Sequence, residues 1–93
     1  MPDPGAYHYY VPVTVAAGVY GAAQAVFDFL ALGVRFHNTG ADPVRFSLDG
    51  VTDHGRVAGS ESFELTDFLA SGRLYLKRES GIGAPVVHVT VWG

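Results

Sequence analysis

Four histidines, His8, His37, His54 and His88, are the residues of this chain best suited to metal or proton-transfer chemistry, because a neutral imidazole can ligate a metal or accept a proton near neutral pH. None stands in an HxH, HxxxH or HExxH spacing, the arrangements that put two imidazoles on one face of a strand or helix. His37 and His88 would approach each other only if adjacent strands carried both outward, and outward histidines are commonly just solvated. His54, between Asp53 and Gly55, reads as a turn residue, so no metal site is expected. Ser47, Ser60, Ser62, Ser71 and Ser80 occur without a GxSxG elbow, and Ser60 after Gly59 is explained by turn chemistry. Asp49, Asp53 and Glu61 lack the ligand order of an EF-hand loop, and carboxylates in turns generally accept from backbone amides. Gly81-Ile82-Gly83 has no P-loop lysine and leads toward a strand, which removes the helix N-terminus that phosphate binding needs. Tyr7, Tyr9, Tyr10 and Tyr20 offer rings that could stack on a sugar or a base, but at strand spacing they suit a core or a subunit contact better. With few convergent polar groups to line a pocket, the chain is expected to hold no catalytic residue and no cofactor and not to be an enzyme.

Composition points to contacts instead. The 93 residues are 48% hydrophobic, 13% aromatic and 16% charged. The charged share lies well below the usual value of about 25%, which excludes a disordered or solvating chain. Six Lys and Arg against nine Asp and Glu give a formal charge of −3. Lys77 and Arg78 are followed by Glu79, so no basic field exists to neutralise phosphates and nucleic acid is not an expected partner. The length is that of one domain that buries roughly 64% of its unfolded surface. Part of the apolar surplus is therefore expected on a surface that touches another molecule. The start, Met1-Pro2-Asp3-Pro4-Gly5, lacks the positive region of an export signal. Residues 15–34 are interrupted by Gln24, Asp28 and three glycines, so no membrane span is expected there.

The elements that must carry these residues read as strands. In residues 7–16 the odd positions Tyr7, Tyr9, Val11, Val13 and Val15 are apolar and alternate with His8, Tyr10, Pro12 and Thr14, a period of two. Pro12 cannot donate to a ladder, which puts this strand at an edge or in an arm. Residues 22–32 fit both a helical face of Val26, Phe27 and Leu30 and an alternating strand. Strand is favoured by the aromatic and β-branched content, and Gly33 would then be a bulge that shifts the parity. Val34 and Phe36 alternate with Arg35 and His37. Asn38 to Pro43 is dense in turn formers, and Val44, Phe46 and Leu48 alternate in turn, so residues 34–49 read as a β-hairpin.

Further turns are signalled at Asp49-Gly50, Asp53-His54-Gly55 and Ala58-Gly59-Ser60, with a short strand around residues 56–58. Phe63 and Leu65 are expected inward, and Thr66 can cap one helical turn over residues 67–71 that stops at Gly72. Leu74 and Leu76, then Val87, Val89 and Val91, face inward in the last two strands, leaving Tyr75 and Trp92 outward. About seven short strands with frequent turns predict an all-β domain, a single small sandwich or jelly-roll-like barrel. Residues 1–33, richer in Ala, Gly and Tyr, are expected to form an N-terminal strand or arm that contacts a partner, and residues 34–93 the compact unit. The expected partner-contact set is Tyr7, Tyr9, Tyr10, Val11, Leu30, Leu32, Tyr75 and Trp92.

Three features of residues 34–92 resemble a pattern common in small virion proteins of tailed bacteriophages: the Asn38-Thr39-Gly40-Ala41-Asp42-Pro43 turn running to Ser47-Leu48-Asp49-Gly50, the Val57-Ala58-Gly59-Ser60 turn, and Leu74-Tyr75-Leu76-Lys77 ahead of a valine-rich last strand. The resemblance implies a non-enzymatic particle component, most simply a capsid decoration or cement protein that stabilises the head. It would be made in the host cytoplasm, located in the virion, bound to the major capsid protein or another virion protein, and homo-oligomeric, with a trimer favoured. The alternative is a carbohydrate- or receptor-binding module of a tail or fibre accessory, with Tyr75 and Trp92 stacking on a sugar.

Overall fold

A computed structural model describes residues 8–66 and 72–93. Tyr7 and the helical turn expected at 67–71 lie outside the described residues. The others form eight strands: β1 (His8–Thr14), β2 (Ala25–Val26), β3 (Gly33–Asn38), β4 (Val44–Ser47), β5 (Gly55–Val57), β6 (Ser62–Thr66), β7 (Arg73–Arg78) and β8 (Val86–Trp92). They build two antiparallel four-stranded sheets, ordered β1-β8-β3-β6 and β2-β7-β4-β5. The chain changes sheet at every connection except β4 to β5, which is the strand order of an eight-stranded jelly roll.

Period two explains which residues meet between the sheets. Val34 and Phe36 of β3, Val44 and Phe46 of β4, Leu74 and Leu76 of β7, and Val87, Val89 and Val91 of β8 are all almost wholly buried. The Phe36 and Phe46 rings stack across the two sheets with centroids 4.5 Å apart, and Phe63 from β6 closes on Phe46 at 5.5 Å. Phe63 itself stays 37% exposed, because β6 is an edge strand and covers only one side of its ring.

Residues 8–33 belong to this same sandwich. β1 pairs with β8 along its whole length, β2 pairs with β7, and Val13, Val15, Ala25, Phe27 and Ala31 join the one core cluster. The division expected between residues 33 and 34 falls inside β3. β1 is an edge strand, as Pro12 requires. The Val15 N–H donates to the Pro85 carbonyl at 2.9 Å, which fixes the parity of the β1–β8 ladder. Backbone groups of odd residues in β1 therefore point at β8, and those of His8, Tyr10, Pro12 and Thr14 point to the open edge. Proline sits where its missing donor costs no ladder bond.

Residues 34–49 are not a hairpin. β3 and β4 belong to different sheets, and the 38–43 turn is a corner between them. The fully buried Asn38 holds this corner. Its Oδ1 accepts from the Gly40 N–H at 2.9 Å, and its Nδ2 donates to the Asp42 and Val57 carbonyls at 2.8 and 3.5 Å.

Residues 25–32 alternate in burial as a strand would, with Ala25, Phe27 and Ala31 inward and Val26, Asp28, Leu30 and Leu32 outward. Ladder pairing is confined to β2, and ahead of it the Gln24 side chain takes the place of a neighbouring backbone. Its Oε1 accepts from the Leu76 N–H and its Nε2 donates to the Leu76 carbonyl, both at 2.9 Å. Beyond β2 the chain crosses to the other sheet.

The burial parity does shift at Gly33, but no bulge causes it. Gly33 pairs in continuous register with Thr66 and Trp92, and a Cβ there would lie 2.3 Å from the Trp92 ring. The glycine is the seat of the indole. Gly33→Ala is expected to lift Trp92 off the sheet at about 1–3 kcal/mol, the usual cost of an overpacked site. Because Trp92 is the one tryptophan in the sequence, a red shift of intrinsic fluorescence with a lowered unfolding midpoint would report it.

Candidate functional site: the β1 edge and the outer face of its sheet

The open edge of β1 carries no Lys, Arg, Asp or Glu between His8 and Thr14, so it lacks the charges with which many proteins guard such edges. Among the described residues no strand pairs with that edge. A shallow groove lined by His8, Tyr9, Val26, Phe27, Asp28 and Phe29 runs beside it, where the edges of the two sheets come together. Val26, 56% exposed on β2, borders this groove; Leu30 and Leu32, 63% and 47% exposed, follow where the chain crosses to β3, and the Leu32 N–H donates to the Trp92 carbonyl at 2.8 Å.

The expected contact residues divide accordingly. Tyr10, Leu30 and Leu32 are exposed, and Trp92 lies half-buried over Gly33 on the outer face of the β1 sheet. Tyr9 and Val11 face inward and pack on the core, Tyr9 with its ring 6.0 Å from Phe27. Tyr75 lies on β7, half-buried against Gly50, on the outer face of the opposite sheet. Tyr75 and Trp92 therefore cannot stack on one sugar. Val19 and Val26, 70% and 56% exposed, are absent from the expected contact set; Val26 reads in the sequence only as part of a helical face with Phe27 and Leu30.

Register assembles a polar patch on the outer face of the β1 sheet that no linear spacing reveals. His37 and His88 are direct cross-strand partners on β3 and β8, with ring centroids 6.3 Å apart. Tyr10 hydrogen-bonds through its hydroxyl to His88 Nδ1, with the two ring planes nearly parallel, and His37 Nδ1 bonds the Ser62 hydroxyl at 2.6 Å. Arg35 and Thr90 complete a shallow depression, and Arg35 reaches toward Glu64 at 3.9 Å.

The outer face of the other sheet is already occupied with its own charges. Arg45 pairs with Glu79 at 2.6 Å and Asp53 at 3.5 Å, Arg56 with Glu79 at 2.6 Å, and Lys77 with Asp53 at 3.2 Å. Lys77 also lies over the Tyr20 ring at 4.6 Å, and the Tyr20 hydroxyl donates to Asp53 at 2.6 Å. In the β4–β5 turn, Asp49 accepts from the Val51 and Thr52 amides and the Ser47 hydroxyl, and His54 Nδ1 accepts from the Leu48 N–H as a turn residue should.

These partners favour the charged carboxylates and the neutral phenol. The Thr52 amide, with Val51 and Ser47, holds Asp49 far below the ordinary carboxylate range; the Tyr20 hydroxyl lowers Asp53, and Arg56 with Arg45 lowers Glu79. Burial, reinforced by the bond to Asp53, pushes the Tyr20 phenol well above its usual value. The carboxylate contribution to stability is present above the unfolded carboxylate range near pH 4 and is lost as pH falls below it. The Tyr20 contribution is present below about pH 10 and lost above it. The unfolding midpoint should thus fall at both extremes, and Asp53→Asn should flatten both limbs in a pH series of thermal melts.

No known protein-family model matches the chain, and no curated protein matches it. Among the described residues no helix is long and apolar enough to cross a membrane.

Proposed function

We propose that this protein is a non-enzymatic assembly component of a bacteriophage particle, a capsid decoration or cement protein that joins neighbouring copies and the major capsid protein through the β1 edge and its apolar margin. The observation that carries this reading is the uncharged open edge of β1 with the exposed Val26 in the groove beside it, and Leu30 and Leu32 exposed where the chain enters β3 at the end of the same sheet. An edge strand offers backbone donors and acceptors to a neighbour's strand, and adjacent apolar side chains supply burial at about 25 cal/mol per Å² before association costs. The jelly-roll order agrees by fold analogy, since such sandwiches recur among viral capsid and lectin domains.

Two arms test the reading. Mass spectrometry of density-purified particles from the cells that encode the chain should find it in the particle band, and its absence there would remove the virion role. Val26→Lys with Leu30→Lys changes only exposed positions, so the variant should fold as the parent does and fail to incorporate. Undiminished incorporation would remove this surface from the account. Glycan binding that depends on Trp92 would move the carbohydrate-binding reading to first place.

A further inference from the structure

We propose that His37 and His88 form a binding site for one divalent transition-metal ion, Zn²⁺, Ni²⁺ or Cu²⁺, on the outer face of the β1-β8-β3-β6 sheet. The two imidazoles stand side by side on paired strands, and each Nδ1 is held from the far side. Tyr10 on β1 holds the His88 ring and Ser62 on β6 holds the His37 ring, so the two Nδ1 atoms are drawn apart toward the flanking strands. In an imidazole, Nδ1 and Nε2 lie on opposite sides of the axis running outward from Cγ. Pulling the Nδ1 atoms apart therefore turns the two Nε2 atoms toward each other above the β8–β3 ladder.

Ligation needs one particular tautomer on both rings. If each Nδ1–H donates to its hydroxyl partner, each Nε2 carries the lone pair, the arrangement by which an outer partner orients a metal-binding histidine. With metal–nitrogen bonds of about 2.0–2.1 Å, two imidazoles on one tetrahedral ion have centroids about 5 Å apart. The observed 6.3 Å is about 1 Å wider, so ligation requires the exposed His37 ring to move toward the half-buried His88. Imidazole donors select Zn²⁺, Ni²⁺ and Cu²⁺ over Mg²⁺ and Ca²⁺, which prefer oxygen. The described residues gather no group of three or more His, Cys, Asp or Glu ligands, so water fills the remaining positions and the ion is exchangeable.

The test is calorimetric titration of the untagged full chain with NiCl₂ and with ZnCl₂, MgCl₂ serving as control. One Ni²⁺ or Zn²⁺ per chain is expected, with affinity reduced at least tenfold in His37→Ala and in His88→Ala and unchanged in His8→Ala. His88→Gln keeps a polar partner for the Tyr10 hydroxyl and must lose the ion as well, which separates ligation from sheet integrity. Paramagnetic broadening by Cu²⁺ should centre on the amides of residues 37 and 88. Absence of saturable binding, or binding that survives both alanine variants, would overturn the proposal.

Discussion

Phe46→Ala should cost about 3–5 kcal/mol, the range for emptying a buried aromatic site. The ring is 1% exposed, stacks on Phe36 and closes on Phe63, so one side chain of β4 holds both central strand β3 and edge strand β6 of the opposite sheet. Gly55 lies against the same ring, with room for no Cβ at all. A domain of this length has about 5–14 kcal/mol of stability in total, so the loss takes a large share of it. Urea denaturation should show the midpoint falling by about 2 M or more. Phe46→Leu, which keeps most of the volume, should fall far less, and equal costs for the two variants would contradict a packing origin.

Deletion of residues 1–16 should unfold the domain. The sequence by itself suggests the opposite, an arm that can be removed without loss of the compact unit. In the fold, however, the deletion strips β1 from β8, removes the buried Val13 and Val15 and uncovers one flank of Val87, Val89 and Val91. Each fully buried valine is worth about 1.5–3 kcal/mol, and the half-buried Tyr9 and Val11 add to that. Loss of the cooperative transition in circular dichroism melts is the expected outcome. A folded, cooperatively melting 17–93 fragment would restore the arm reading.

Period-two alternation was legible because it reports directly which residues face the other sheet. β1, β3, β7 and β8 carry their buried sets at the alternating positions that the sequence indicates, and Pro12 correctly marks an edge. The 38–43 turn was legible as a reversal but not as a change of sheet. Turn formers report local backbone shape, whereas the corner is decided by the buried bonds of Asn38 to Gly40, Asp42 and Val57. Residues 25–32 defeat a helix-or-strand choice for a related reason: they alternate in burial, yet ladder pairing ends at Val26 because the chain then crosses to the other sheet. The nearness of His37 to His88 depends on the β3–β8 register, which couples residues 51 apart in sequence and leaves no local trace.

The outer faces of the two sheets also behave differently for reasons of charge. Arg45, Arg56 and Lys77 would repel one another across β4, β5 and β7, and Glu79 and Asp53 lie between them. Exposed pairs of this kind add little stability individually, but together they leave a hydrated, internally matched surface. The β1 edge has no such charges, and the groove beside it holds a single carboxylate, Asp28, among Tyr9, Val26, Phe27 and Phe29. The proposed assembly contact is accordingly placed on the β1 side of the sandwich.

The most direct test of that claim is light scattering behind size exclusion over a tenfold dilution series, run on the wild-type chain and on Val26→Lys/Leu30→Lys. The wild-type chain should give a mass that is a multiple of 9.9 kDa, and the double variant should give a single chain with an unchanged melting transition. A wild-type mass of one chain at every concentration, or an oligomer indifferent to both lysines, would contradict assembly through the β1 margin.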